Sequence, residues 1–204
     1  MQLTVQQLQA AVIGCTPELA AKFLDAINQT LTKYEIGKTP LRVAYFLAQL
    51  GHESGSFKYV REIASGAAYE GRADLGNTHV GDGVRFRGRG LIQITGRANY
   101  KACGKALGVD LEAHPELLEF PLNAALSAGW YWASRNLNTV VDKDRGANTG
   151  LDQAVFIRVT KAINGGTNGL ADRQARFVQA RKALGIPAPY RVPPVKPAAP
   201  EKAL

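Results

Sequence analysis

The chain has 204 residues, 46% of them apolar and 21% charged, the balance of a globular protein long enough to bury a core without disulfide staples. No stretch approaches the roughly 20 apolar residues that span a bilayer, and Met1-Gln2-Leu3-Thr4-Val5 lacks the basic and apolar segments of a secretory leader, so neither membrane insertion nor a signal peptide is expected. The net charge of +8 favours polyanionic partners such as teichoic acid, lipopolysaccharide or nucleic acid, and the isolated Cys15 and Cys103 suit small core residues rather than a disulfide or metal framework.

In chain order, Thr4 with Gln7 forms a capping-box pattern before a short apolar helix. Thr16-Pro17 opens a longer helix to about residue 34, with Leu19, Phe23, Ala26, Ile27 and Leu31 on one stripe. Thr39-Pro40 opens a third to about Glu53, with Val43, Phe46, Leu47 and Leu50 inward. Glycines then recur at 55, 66, 71, 76, 81, 83, 88 and 90, the mark of a long loop. Within it, residues 85–87 and 90–95 suit short strands. Helical patterns return near 98–107, 122–134, 151–163 and 171–184, and Gly185 stops the last. From Pro187 a Pro-rich basic tail begins, so residues 1–186 are read as one catalytic domain and 187–204 as a flexible appendage.

Loops of this length in compact domains usually serve function. This one starts at His52-Glu53-Ser54-Gly55, at the end of an apolar helix. A carboxylate there meets the unfavourable end of the helix dipole, which with partial burial favours the protonated form. A protonated carboxyl is what glycoside cleavage needs as general acid, with a second carboxylate across the substrate. Glu62, Glu70, Asp74 and Asp82 are the candidates. On a continuous helix Glu53 and Glu62 would face opposite sides, so the chain must break, and Ser54-Gly55-Ser56 is a suitable place. Arg85, Arg87 and Arg89 alternate without a phosphate-loop signature and suit the holding of loop carbonyls and carboxylates. Asn164-Gly165-Gly166 reads as a helix C-cap whose amide also suits sugar hydroxyls and acetamides. His52, His79 and His114 lack ligand spacing, so no zinc site and no cofactor are expected.

Taken together, His52-Glu53-Ser54-Gly55, Gly81-Asp82-Gly83, Phe86-Arg87-Gly88-Arg89-Gly90-Leu91-Ile92-Gln93-Ile94-Thr95-Gly96, Ile163-Asn164-Gly165-Gly166 and Ala171-Asp172-Arg173 resemble glycoside hydrolase family 19. That family comprises plant-type chitinases and a branch of phage endolysins, and the resemblance spans roughly residues 40–185. It implies a mainly α, lysozyme-like domain of two lobes with a central cleft and at most a small β-hairpin. It implies Glu53 as general acid and Glu62 as the base of an inverting displacement, with Thr95 positioning the water. It places His52, Gln93, Asn99, Asn164 and Arg173 in the substrate cleft. Residues 65–70 depart from the more usual Asn-Tyr-Ser pattern, which keeps Glu70 as an alternative base. Ala98 stands where plant chitinases often carry Tyr, which favours peptidoglycan over chitin.

The expected function is therefore an endolysin that hydrolyses the glycan strands of peptidoglycan. Such a protein waits in the host cytoplasm until released to the wall, acts as a monomer and touches lipopolysaccharide through its basic surface or tail. A chitinase is the alternative with the same chemistry. A non-catalytic basic wall- or nucleic-acid-binding module is a third reading, but nucleic-acid binding is not favoured. It predicts base-stacking aromatics among the Lys and Arg residues, and here the aromatics follow core periodicity.

Overall fold

The computed structural model describes residues 1–144 and 150–187, the side chains of 150–152 excepted. The helices are α1 (Val5–Ala11), α2 (Pro17–Lys33), α3 (Pro40–Glu53), α4 (Asp82–Arg85), α5 (Arg97–Leu107), α6 (Pro121–Ser134), α7 (Leu137–Val141), α8 (Gly150–Asn164) and α9 (Leu170–Ala183), with short 3-10 turns between some of them. Apart from Pro187, the tail lies outside the described residues. Among the described residues no helix is long and apolar enough to cross a membrane.

The helix starts follow from local chemistry. Both halves of the capping box at Thr4 and Gln7 form. Thr16 and Thr39 each accept a backbone N–H of the first turn, and each is followed by a proline whose missing N–H costs nothing there. Four of the five α2 stripe residues, Phe23, Ala26, Ile27 and Leu31, are buried, and Leu19 is partly buried. In α3 every residue from Val43 to Gly51 is buried, so the helix is central rather than amphipathic. It packs against α9, α7 and α1, while α2 packs on α1 and α6. Helix α6 joins the two halves of the fold: α2 lies against it from the helical body, and α5 and the 3-10 turn Pro115–Glu119 lie against it from the loop-rich half. Cys15 and Cys103 are free and buried.

Two expectations fail locally. Residues 85–87 and 90–95 form no strands; only the isolated bridges Arg61↔Arg89 and Arg89↔Ile94 remain. The reason is torsional. Gly90 and Gln93 both adopt positive φ, which ends any extended run, and residues 82–85 form the single turn of α4 after the left-handed Gly81 instead. Helix α7 was not legible from its Leu-Asn-Thr-Val-Val sequence, because β-branched residues favour strands. Packing overrides that preference. Leu137, Val140 and Val141 are buried, and the Asn138 side chain accepts from Trp132 Nε1 at 2.8 Å and donates to Tyr34 O at 2.9 Å.

Candidate active site

Helix α3 ends at Glu53 because the next residues cannot continue it. Gly55, Ser56 and Phe57 all have φ between 55° and 70°. Left-handed backbone at Ser56 and Phe57 carries strain of about 1 kcal/mol each. Local contacts hold it there. Ser54 Oγ donates to Leu50 O at 2.6 Å and accepts Phe57 N–H at 2.9 Å, and Ser56 Oγ donates to Ile13 O at 2.5 Å. Phe57 is buried against Phe23, ring centroids 5.4 Å apart. The break expected at Ser54-Gly55-Ser56 is therefore present.

The Glu53 carboxylate, with 19% of its side chain exposed, accepts from Arg173 Nη2 at 2.5 Å. Arg173 comes from α9 and is 1% exposed. Its Nη1 donates to Gln49 Oε1 at 2.6 Å and its Nε to Asn168 O at 3.3 Å. Gln49 lies one turn before Glu53 on α3, is fully buried, and donates to Thr160 Oγ1 of α8 at 3.3 Å. One guanidinium thus ties the end of α3 to α9, and Gln49 carries the network on to α8. Arg173 was expected in the substrate cleft; here it is an internal partner of Glu53.

Next to Glu53, His52 Nδ1 lies 2.7 Å from Asp172 Oδ2, which also accepts from Arg176 Nε at 2.6 Å. Burial raises the Asp172 carboxyl, but the Arg176 and His52 hydrogen bonds outweigh it and hold the group below its ordinary value. His52 also abuts Gly169, where an added Cβ would come within 2.2 Å of the imidazole.

Glu62 stands on the loop, and its own N–H donates to Gly88 O at 2.9 Å. Its Oε2 accepts Gly88 N–H at 3.1 Å and its Oε1 accepts the Tyr69 hydroxyl at 3.0 Å. Burial, and then the Glu62 carboxylate, push the Tyr69 hydroxyl up, which keeps it a donor. Gly88 is needed for closeness: a Cβ there would sit 2.7 Å from Gln93 Oε1 and 3.3 Å from Glu62 Oε2. Gln93 Nε2 donates to Gly90 O at 3.0 Å, Thr95 Oγ1 donates to Gln93 O at 3.0 Å, and Asn99 Nδ2 donates to Thr95 O at 2.7 Å. Gln93, Thr95 and Asn99 therefore form one hydrogen-bonded series, and Gly88, which holds Glu62, lies against the Gln93 amide. Asn164 Nδ2 is buried without a partner.

The remaining acids are differently placed. Glu70 accepts Gly81 N–H at 2.7 Å and Gly83 N–H at 2.8 Å, one on each oxygen, so its carboxylate ties the loop together. Asp82 is buried and doubly bonded to Arg97, at 2.6 and 3.0 Å. Those bonds pull its carboxyl down to about 2 despite the opposing effect of burial. Asp74 is exposed and pairs with Arg72. The alternating arginines hold the loop as expected. Arg85 donates to Glu112 O and Ala113 O, Arg87 to Ser65 O, and Arg89 to Glu119 and Tyr100. Gln49 and Tyr69 escaped the sequence reading. Gln49 left a signal, a lone amide in an otherwise apolar helix, four residues before the acid; Tyr69 left none.

Residues 36–174 match the family model described as chitinase class I, of glycoside hydrolase family 19. A glycosyl hydrolase family 19 domain-containing protein of Haemophilus influenzae is 34% identical over 165 residues, covering 65% of this chain and 75% of that protein. An endochitinase of Arabidopsis thaliana is 38% identical over 164 residues, covering 79% of this chain and 49% of the relative. The chain thus spans about half the length of that plant enzyme. Among solved structures, chitinase C of Streptomyces griseus superposes with a TM-score of 0.65 at 26% identity, over 89% of this chain and 76% of that one.

Proposed function

The chain belongs to glycoside hydrolase family 19, with the mostly helical, lysozyme-like fold of its chitinases, and is a glycosidase; from that premise we propose that it cleaves the glycan backbone of bacterial peptidoglycan as an endolysin. The observation that carries the chemistry is the pair of separately anchored carboxylates, Glu53 on Arg173 and Glu62 on Gly88 and Tyr69. The net charge of +8 supports the choice of substrate, because a peptide-bearing glycan is anionic and chitin is neutral.

In the proposed reaction Glu53 gives a proton to the glycosidic oxygen as the C1–O bond breaks. Water attacks C1 from the opposite face and passes its proton to Glu62, so the anomeric centre inverts. Arg173 positions the Glu53 carboxyl from behind, away from the substrate. Because the Thr95 hydroxyl hydrogen is occupied by Gln93 O, its lone pairs are free to accept a hydrogen bond from the attacking water and orient it. The unpartnered Asn164 amide suits a sugar acetamide, and His52 borders the same acid. Glu70 acts on the loop, not on the water.

A chitinase is a second reading, favoured by the plant and Streptomyces relatives, whose names are those of chitinases. Digestion of purified peptidoglycan and of chitin hexamer, followed by mass spectrometry, separates the two. Muropeptides with a new reducing end are expected, and chitin cleavage without them refutes the endolysin. Glu53→Gln should abolish the products while keeping the fold. Glu62→Ala should be inactive and recover turnover with azide, a nucleophile that needs no base; Glu70→Ala should show no such rescue. Azide rescue of Glu70→Ala alone would exchange the two roles.

A further inference from the structure

Tyr131 of α6 stands between two parts of the site. Its hydroxyl donates to Ile163 O at 3.1 Å, beside Asn164 at the end of α8. Burial raises the phenol most, the Glu53 carboxylate raises it further, and Arg135 lowers it, so the ring lies in the field of both charges. The Arg135 guanidinium sits over the Tyr131 ring, its Cζ 3.3 Å from the centroid.

Arg135 is exposed. It donates to Tyr131 O at 3.3 Å and to Ser134 Oγ at 3.1 Å. Among the described residues it pairs with no carboxylate, whereas Arg89, Arg97, Arg173 and Arg176 each hold one. A guanidinium braced on an aromatic ring has lost much of its freedom already and keeps its outer N–H groups for a planar anion.

We propose that Arg135 is a specificity-determining residue, receiving a carboxylate of the stem peptides on the glycan at the Tyr131–Asn164 side of the site. The assignment rests on the peptidoglycan reading and deepens it. Chitin carries no carboxylate, so the contact contributes to one substrate and not to the other.

The test compares three substrates: native glycan strands, the same strands with their carboxylates amidated by carbodiimide and a neutral amine, and chitin hexamer. Arg135→Gln should lower kcat/KM on native strands about tenfold, the scale of one charge-assisted hydrogen bond at an accessible site. On amidated strands and chitin hexamer the variant should match the unmodified protein. Arg135→Lys, which keeps the charge but not the fork, should fall between the two on native strands. An equal loss on all three substrates would assign Arg135 to the end of α6 alone, and an unchanged rate on native strands would remove the contact; either overturns the proposal while leaving the endolysin reading intact. If the unmodified protein opens chitin hexamer but not native strands, the endolysin reading falls and this assignment falls with it.

Discussion

Replacing Arg173 by methionine tests the anchoring of the acid most severely. The substitution keeps most of the buried volume and removes three donated hydrogen bonds, to Glu53, Gln49 and Asn168 O. Gln49 is fully buried, so leaving its oxygen unpaired costs about 1–3 kcal/mol. Removing one partner of a buried ion pair costs roughly 3–5 kcal/mol. Because 19% of the Glu53 side chain is exposed, water recovers part of that, and about 2 kcal/mol is the fitting share. The sum is near 4 kcal/mol, or a fall in Tm of roughly 8–16 °C for a chain of this size. Activity should fall more than 100-fold, since about 1 Å of misplacement is enough for that. Thermal unfolding and turnover of Arg173→Met, Glu53→Gln and the double variant complete the cycle. The double variant should be less destabilised than the sum of the singles by about 2 kcal/mol. Strict additivity, or an Arg173→Met protein that melts with the unmodified one, would refute the reasoning.

Other perturbations probe other parts of the account. Gly88→Ala should leave Tm within about 3 °C, because the clash falls on the movable end of Gln93, yet cut kcat more than tenfold by displacing Gln93 and Glu62; a fully active variant would detach Gly88 from the site. Asp82 has its folded pKa near 2 against an ordinary 3.8. Its stabilisation is therefore present above about pH 4 and lost as pH falls toward 2. Asp82→Asn should be less stable at pH 7, and the difference in urea midpoints should shrink through that window; a gap that holds constant to pH 2 would contradict the Arg97 pairing. Burial pushes Cys103 up to about 12 and also raises Cys15, so neither thiol should react with Ellman's reagent at pH 8 until urea unfolds the chain. Rapid labelling of the native protein would contradict their burial.

Much of this was legible because it rests on local rules. Thr4, Thr16-Pro17 and Thr39-Pro40 announce helix starts through capping alone, and the strand-free break after Glu53 is visible in Ser54-Gly55-Ser56. Long-range chemistry was not. Arg173 pairs with an acid 120 residues away, and no period or spacing encodes which acid a buried arginine will meet. Glu62 and Glu70 read alike in the sequence, and each accepts one hydrogen bond on each oxygen; what differs is the partner, a backbone N–H and the Tyr69 hydroxyl for Glu62 against two loop N–H groups for Glu70, and no spacing encodes that. Likewise α7 has strand-like residues that become helical because Trp132 and Tyr34 fix Asn138.

The claim on which the rest depends is that Glu53 and Glu62 flank one linkage and work from opposite faces. Proton NMR of the first product formed from a soluble β-linked oligosaccharide reads this directly. The α-anomer should appear first and mutarotate afterwards. A first product in the β configuration would contradict the account, because retention requires a nucleophile bonded to the anomeric carbon, either a carboxylate or the sugar's own acetamide, instead of a carboxylate that activates water.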